Sequence, residues 1–201
     1  MKLRTFSVIA VVGALGLAAC GSDNAASTAT QASPTQAPAD TTATDAAFND
    51  ADVTFAQGMV PHHEQAIEMA DIALDPNMGA SNQVRDLATR IKGGQDPEIQ
   101  LMTGWLTAWG QLMQANMGTG HDMSSMDGMM SAQEMDSLGS MNGAAFDTTW
   151  MEMMVRHHQG AIAMAQTVKA AGSNGEVLAL ADKVIAAQQG EITEMQTLLG
   201  G

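Results

Sequence analysis

A pattern of nineteen residues occurs twice in this chain, and this internal repeat constrains the fold more than any other feature. Residues 52–70 align with residues 147–165 at a shift of 95, and ten of the nineteen positions are identical. A second pair of segments, residues 84–106 and 177–199, aligns at a shift of 93. Because both segments recur in the same order, we infer that one unit of two segments is used twice.

Both kinds of segment have the period of an α-helix. In the first, apolar residues and histidine recur at alternating steps of four and three residues, at Phe55, Met59, His62, Ala66 and Met69. The second kind repeats its apolar residues in a heptad pattern. None of the segments alternates with the period of two that marks a β-strand. The sequence therefore predicts an all-α fold, a four-helix bundle built from two repeated αα-hairpins.

Residues at the segment boundaries support the same helices. Residues 75–79, with Asp-Pro-Asn followed by Met and Gly, predict a break after the first helix. Ser173 and Glu176 have the spacing of a capping box, which predicts that the last helix begins after Ser173. Two glycines and a proline within residues 93–97 predict a kink in the second helix.

The N-terminus has the layout of a secretory signal. Lys2 and Arg4 precede an apolar stretch over residues 6–17. The run Leu-Ala-Ala-Cys that ends at Cys20 resembles the lipobox of bacterial lipoproteins, which implies a signal peptide over residues 1–19 and lipid on the Cys20 sulfur. We therefore expect an extracytoplasmic protein anchored to the cell membrane by lipid. A plain secretory signal with an incidental cysteine is the alternative.

A low-complexity segment follows the cysteine. Residues 20–48 consist mainly of Ala, Ser, Thr, Gln and Asp with two prolines, and contain almost no large apolar side chain. Such a segment cannot offset its ordering entropy by burial, so we expect a flexible linker. The folded domain is then predicted over residues 49–201, with a connecting segment rich in Met and His at about residues 113–143.

The charge of the chain excludes one class of partner. Eight Lys and Arg residues stand against 22 Asp and Glu residues, a formal net charge of −14 at pH 7. This surplus of carboxylates repels a phosphate backbone and attracts cations, so we expect no nucleic-acid binding. Because Cys20 is the single cysteine, disulfide scaffolds and zinc sites built from cysteine are also excluded.

Polar residues recur on the helix faces that should form the core. Each half has two adjacent histidines on its first helix, and a glutamine and a glutamate on its second: His62, His63, Gln95 and Glu98, then His157, His158, Gln188 and Glu191. A buried carboxylate without a partner costs several kcal/mol, so these groups need an explanation. Metal ligation by imidazole, carboxylate and the nearby thioethers is one interpretation. A His–Glu hydrogen-bond network that sets the register of the bundle is the other.

Other repeated residues have simpler interpretations. Asp52 and Asp147 occupy equivalent positions near the helix starts, where an Asp caps a helix more often than it binds a metal. Met69 and Met164 are also equivalent, and we interpret both as methionines that fill gaps in the core.

The segment between the two halves is rich in methionine. Among Gly, Ser, Asp and Asn it carries Met113, Met117, His121, Met123, Met126, Met129, Met130, Met135 and Met141. Thioether is a neutral, soft ligand that favours Cu(I) over Ca²⁺, Mg²⁺ and Zn²⁺ and stays usable in an oxidising compartment. We therefore predict soft-metal ligands at His121, Met123, Met126, Met129 and Met130. An adaptable methionine-rich surface for a partner helix is the alternative.

The paired motifs resemble a known family. The runs Met-Val-Pro-His-His-Glu-Gln-Ala-Ile-Glu-Met-Ala (59–70) and Met-Val-Arg-His-His-Gln-Gly-Ala-Ile-Ala-Met-Ala (154–165), each followed by Gln-x-x-Glu-Ile-x-x-Met, look like the bacterial domain of unknown function 305 family. The resemblance covers about residues 50–199. It implies a ferritin-like four-helix bundle, an extracytoplasmic location and copper binding through His and Met. The matching site positions are Met59, His62, His63, Glu98, Met102, Met154, His157, His158, Glu191 and Met195.

Two departures make the halves unequal. Arg156 replaces Pro61, and Gly160 replaces Gln65. The two half-sites therefore need not be equivalent.

Three functions remain open at this point. The first is a membrane-tethered, non-enzymatic protein that binds copper as Cu(I) for sequestration, tolerance or hand-over, with a metal-exchange protein or a second copy of the chain as candidate partners. The second is a ferritin-like di-metal oxidase, against which the Glu-x-x-His motif of di-iron bundles is absent. The third is a metal-free helical interaction module.

Overall fold

Four long helices and one short helix make up most of the computed structural model, which describes residues 47–113 and 126–200. The long helices are α1 (Asp50–Leu74), α2 (Asn82–Ala108), α4 (Gly143–Ala171) and α5 (Gly175–Gly200), and the short one is α3 (Ala132–Gly139). No β-strand occurs in these two ranges. The predicted all-α bundle is confirmed, whereas α3 was not expected. The predicted signal peptide, Cys20 and His121 and Met123 of the connecting segment lie outside the described residues.

The two repeats form two helical hairpins. Helix α1 packs along α2, and α4 packs along α5. The hairpins meet chiefly through α1 and α4, the two helices that carry the paired histidines. None of the described helices combines the length and apolar character needed to span a membrane.

The first turn of α1 is tied to the first turn of α5. Asn49 caps α1, and the Asp52 carboxylate accepts the Asn49 backbone N–H at 2.9 Å, which completes a capping box. Asp52 is fully buried and also accepts the backbone N–H groups of Ser173 and Asn174, each at 3.1 Å. Its repeat counterpart Asp147 accepts the Ser81 N–H at 3.1 Å, just before α2 begins. Both aspartates thus link one hairpin to the other.

One boundary prediction differs from the structure. The residue that caps α5 is Asn174, whose side-chain oxygen accepts the N–H groups of Glu176 and Val177, at 3.0 and 3.1 Å. Ser173 does not cap this helix, because its N–H and hydroxyl groups bind Asp52 instead. Helix α2 is continuous through residues 93–97 and contains Pro97, so the kink expected there stays a prediction.

The core consists of two apolar clusters separated along the helix axes. One surrounds Trp150, Phe146 and Leu87, and the other surrounds Phe55 and Leu106. On α1, the residues up to Val60 belong to the second cluster and those from Ala66 onward to the first. The histidines fall between them, so a band of polar residues crosses the middle of the bundle.

Candidate metal centre

A polar layer of titratable and amide side chains crosses the middle of the bundle, and all of its members except the two partly exposed glutamates are buried. It is defined here by His62, His63, Gln95, Glu98, His157, His158, Gln188 and Glu191. All four histidines are 0% exposed, and Gln95 and Gln188 are 4% and 3% exposed. Each of the four long helices contributes two of these residues, so the layer exists only when both hairpins are assembled.

Two equivalent His–Glu pairs form the outer parts of the layer. The His63 Nε2–H donates to Glu98 Oε2 at 2.9 Å, and the His158 Nε2–H donates to Glu191 Oε2 at 2.6 Å. In both rings Nδ1 has no hydrogen-bond partner among the described residues. A carboxylate that holds one imidazole nitrogen while the other stays free is the usual support of a metal-binding histidine.

The centre of the layer is a pair of imidazoles in contact. The ring centroids of His62 and His157 are 3.8 Å apart, and the rings are tilted by 42°. The His62 Nε2 lies 3.2 Å from the backbone carbonyl of Asp127. A carbonyl only accepts, so this nitrogen carries the proton and Nδ1 carries the lone pair. Within the described ranges, neither nitrogen of His157 has a partner.

Burial keeps these two central rings neutral. It lowers the pKa of His62 from 6.5 to about 3, with a further contribution from the nearby His63. Burial also holds the pKa of His157 well below 6.5, and the other three histidines lower it further. The nearby His62 backbone carbonyl acts in the other direction and raises the pKa of His157. Neutral imidazole is the form that binds transition metals, so both rings are in the ligand form at pH 7.

Thioether side chains lie along the same helices. Met59 and Met154 precede His62 and His157 by three residues and therefore share their helix faces. Met102 and Met195 follow Glu98 and Glu191 by four residues. All four methionines are 0% exposed. The donor set at mid-bundle is thus imidazole nitrogen, thioether sulfur and carboxylate oxygen, a combination that suits a soft or borderline transition metal.

The layer is not a closed site made of imidazole and carboxylate alone. Within residues 47–113 and 126–200, no group of three or more His, Cys, Asp or Glu side chains is arranged to hold a metal ion. Methionine is not among these four residue types. A metal bound here would therefore use one or two imidazoles together with thioether sulfur.

A short segment of the connection between the halves crosses over the central histidines. We call residues 126–130 the strap. Its backbone fits against α4 only because Gly160 lacks a side chain: a Cβ at Gly160 would lie 1.9 Å from the Asp127 oxygen. Gly128 has a φ of +84° and would place a Cβ 2.8 Å from the Arg156 carbonyl oxygen, so glycine is needed there as well. This close approach brings the Asp127 carbonyl to His62.

The departures from the repeat are the residues that bind the strap and α3. Gln65, which is Gly160 in the other half, donates to the Met130 carbonyl at 2.8 Å and accepts the Met130 N–H at 2.7 Å. Arg156, which is Pro61 in the other half, pairs with Glu134 of α3 at 2.5 Å. Sequence reasoning missed Gln65, Asp127 and Gly160 as parts of this region. The broken symmetry at positions 65 and 160 was the available signal.

The described methionines of the connecting segment are divided between the core and the surface. Met129, Met130 and Met135 are 8%, 2% and 9% exposed, and the last two belong to the apolar cluster around Trp150. The Met130 sulfur lies 2.6 Å from the Arg156 guanidinium. Met113 is 40% exposed, whereas Met126 is partly exposed. The polar layer therefore unites the predicted ligands of the helices, and the described loop methionines lie outside it.

Solved structures similar to this chain include those of three proteins. A protein thought to be secreted, from Streptomyces coelicolor, has 31% identity and a TM-score of 0.68, covering 75% of this chain and 92% of its own. A fragment from Deinococcus radiodurans has 32% identity and a TM-score of 0.67, covering 76% and 97%. CopM in its Cu(II)-bound form has 31% identity and a TM-score of 0.61, covering 74% and 95%. Other CopM structures contain Cu(I) or silver.

A family model agrees with these structural matches. No curated protein sequence matches the chain at a significant level. The model described as domain of unknown function (DUF305) matches residues 52–199, which include both repeats and the whole polar layer. The Streptomyces and Deinococcus structures carry the same family description. This chain therefore belongs to the DUF305 family.

Proposed function

We propose that this protein binds copper outside the cytoplasm, chiefly as Cu(I), and that it does so without catalysing a reaction. The histidines of the polar layer and the buried Met59 and Met154 are the proposed ligands. Lipid on Cys20 is the proposed anchor to the cell membrane, with residues 20–48 as the linker. The role that follows is sequestration, or hand-over to a metal-exchange protein or a second copy of the chain.

The observation that carries the proposal is the state of His157. This ring is fully buried, in contact with His62, and has no hydrogen bond from either nitrogen to a described residue. Leaving a buried polar group unpaired costs about 1–3 kcal/mol, so a purely structural network does not explain the ring. A metal ion that accepts the imidazole lone pair would recover that cost.

The outer His–Glu pairs support the same interpretation. Glu98 and Glu191 each hold one nitrogen of a fully buried histidine and leave the other nitrogen without a partner. If the pairs only set the register of the bundle, the central His62 and His157 would be better replaced by apolar residues, since unsatisfied polar atoms destabilise a core. Four imidazoles with unpartnered lone pairs in one layer favour binding over packing.

The donor chemistry favours a soft monovalent cation. Imidazole and thioether are both neutral, and the methionines at mid-bundle exclude a preference for Ca²⁺ or Mg²⁺. The similarity to CopM, whose structures contain Cu(I) and silver as well as Cu(II), supports copper binding.

A Cu(I) competition titration under anaerobic conditions tests the proposal. The purified full chain is compared with His62→Gln/His157→Gln and with a connecting-segment variant, Met123→Leu/Met126→Leu/Met129→Leu. We expect the double histidine variant to bind Cu(I) about tenfold to a hundredfold more weakly, as loss of metal ligands or their supports does elsewhere. Met135→Leu, a volume-conserving change in the apolar core, is the matched control and should bind as the wild type does.

Two results would contradict the assignment. If the wild type and the double histidine variant bind Cu(I) with equal affinity, the role of the polar layer is structural. A wild-type chain that retains no copper after desalting would remove the copper function altogether.

A further inference from the structure

Two methionine side chains from different parts of the chain meet above Gly58. A Cβ placed on Gly58 would lie 2.9 Å from the Met164 methyl carbon and 3.4 Å from the Met126 methyl carbon. Met164 belongs to α4 and Met126 begins the strap, so the strap brings the second thioether to the first. The absence of a side chain at Gly58 provides the space that both methyl groups occupy.

The two repeats bury the equivalent methionines to different extents. The counterpart of Met164 is Met69, and the counterpart of Gly58 is Met153. Met69 and Met153 are 0% and 8% exposed and belong to the apolar cluster around Trp150. Met164 and Met126 are both partly exposed. Met164 packs against the apolar cluster around Phe55 and Leu106, as its interpretation as a core methionine predicted, but unlike Met69 it keeps part of its surface exposed.

The thioether pair lies close to the central imidazoles. Gly58 precedes His62 by four residues, so both residues lie on the same face of α1. Asp127, the neighbour of Met126 in the chain, accepts the hydrogen bond from His62 Nε2 at 3.2 Å. Along the axis of α1, the methionine pair and the His62–His157 pair are therefore about one helical turn apart, or about 5.4 Å.

A groove reaches Met164 from the surface. It has a volume of about 380 Å³ and runs between the first turns of α1 and the last turns of α4, with Thr54 and Phe55 on one side and Thr167 and Val168 on the other. Met164 forms part of its wall. A cation can therefore reach this thioether, whereas the fully buried Met59 and Met154 are closed to direct approach.

We propose that Met126 and Met164 form a separate surface site that takes up a soft monovalent cation, Cu(I) or Ag(I), before the ion moves inward. Two neutral thioethers discriminate against hard cations and hold a soft one weakly enough to release it. Transfer to His62 and His157 rests on the proposed function, whereas binding at the methionine pair does not. The two proposals can therefore fail independently.

Nuclear magnetic resonance of the methionine methyl groups tests the site directly. The purified full chain carries ¹³C-methyl methionine, and the Met126 and Met164 signals are assigned with Met126→Leu and Met164→Leu. Ag(I) is the probe, because it is soft and does not change oxidation state on handling. We expect both methyl signals to shift during the titration, in wild type and also in the His62→Gln/His157→Gln background. The signal of the counterpart Met69 is the internal control and should not shift in the His variant.

Affinity supplies the second measurement. In the His62→Gln/His157→Gln background, Met164→Leu should weaken Ag(I) binding at the pair about tenfold, while Met69→Leu should leave it unchanged. Both changes conserve volume, so neither is expected to unfold the chain.

The outcomes separate the two proposals. If the Met126 and Met164 signals stay fixed in both backgrounds, the surface site is wrong. If they shift only in the chain with intact histidines, they respond to an ion bound at mid-bundle, which also overturns a separate site. If they shift in both backgrounds but the histidine variant takes up as much Cu(I) as wild type, the surface site stands and the proposed role of His62 and His157 as copper ligands fails.

Discussion

At the scale of single residues, neutral buried histidine is the feature with measurable consequences. His62 and His157 are fully buried, and burial lowers their pKa below that of an exposed histidine, to about 3 for His62. Both rings therefore stay neutral in the folded chain at a pH where the unfolded chain takes up protons. This difference links folding stability to pH.

The first prediction is that the metal-free protein loses stability as the pH falls below 6.5. The pKa values of His62 and His157 are depressed in the folded state, so between their folded and unfolded values the unfolded chain binds more protons and stability rises with pH. Each histidine should contribute up to about 1.4 kcal/mol per pH unit in that window. Urea unfolding at pH 7, 6 and 5 measures the slope.

Controls make this slope specific to the polar layer. Hydrogen bonds from the Ser131 backbone, and then from Arg156, lower the pKa of Glu134 to about 2, so that carboxylate loses its contribution only below about pH 4.5. The range from pH 5 to 6.5 therefore isolates histidine. His157→Gln should remove part of the slope, and an unchanged slope in that variant would contradict the neutral state of the ring.

The second prediction concerns the contact between Gly160 and the strap. Gly160→Ala would place a methyl carbon 1.9 Å from the Asp127 carbonyl oxygen, so the strap must move away from His62. Overpacking of this kind costs about 1–3 kcal/mol. Gly190→Ala in α5 is the matched control: nothing lies within 4 Å of its Cβ, and the exchange should stabilise a helix interior by about 0.5–1 kcal/mol. In chemical denaturation, we expect Gly160→Ala to lower the free energy of unfolding and Gly190→Ala to raise it. A change of the same sign in both variants would show that the strap does not press on α4.

At the scale of helices, two equivalent aspartates join one hairpin to the other. Asp52 accepts backbone N–H groups from Asn49, Ser173 and Asn174, so one side chain serves the starts of both α1 and α5. Asp147 accepts the N–H of Ser81 alone, through both carboxylate oxygens. The two repeats thus use an equivalent residue with different numbers of partners.

The third prediction follows from this difference. Asp52→Ala should cost about 2–4 kcal/mol, because it leaves several buried N–H groups unpaired, whereas Asp147→Ala should cost about 1 kcal/mol. Hydrogen exchange should speed up in the first turns of both α1 and α5 in the Asp52 variant. Similar losses in the two variants would mean that the link between hairpins contributes little beyond ordinary capping.

At the scale of the whole molecule, the polar layer couples the two hairpins to a bound ion. Each of the four long helices supplies two residues of the layer, so an ion bound there would contact groups that separate when the bundle opens. Binding to the folded chain alone stabilises it by mass action.

The fourth prediction is that Cu(I) or Ag(I) raises the unfolding temperature of the full chain. With the free ion buffered at about a hundred times its dissociation constant, the gain should be about 2.7 kcal/mol, and a chelator should reverse it. Mg²⁺ at the same free concentration is the control and should have no effect, since thioether and imidazole disfavour it. The His62→Gln/His157→Gln variant should gain less, and an equal gain would place the stabilising ion elsewhere.

The sequence by itself determined the helices, the repeat and the residues of the polar layer. These depend on local periodicity: His62 and Glu98 lie on inward faces because of their spacing from apolar neighbours within one helix. Ser173 shows the limit of such reasoning. Its spacing to Glu176 is that of a capping box, yet Asp52, which is 121 residues away, takes its N–H and leaves the cap to Asn174.

Only the tertiary structure decided how the connecting segment is used. The composition of residues 113–143 predicted a connecting segment with soft-metal ligands, but Met130 and Met135 pack into the core and α3 forms beside them. The contacts that hold the strap, from Gln65 to Met130 and from His62 to Asp127, each join residues 65 positions apart. No local pattern encodes such a distance. The physical reason is that packing between helices selects which methionines are buried, and Gly58 and Gly160 provide the space in which the strap lies.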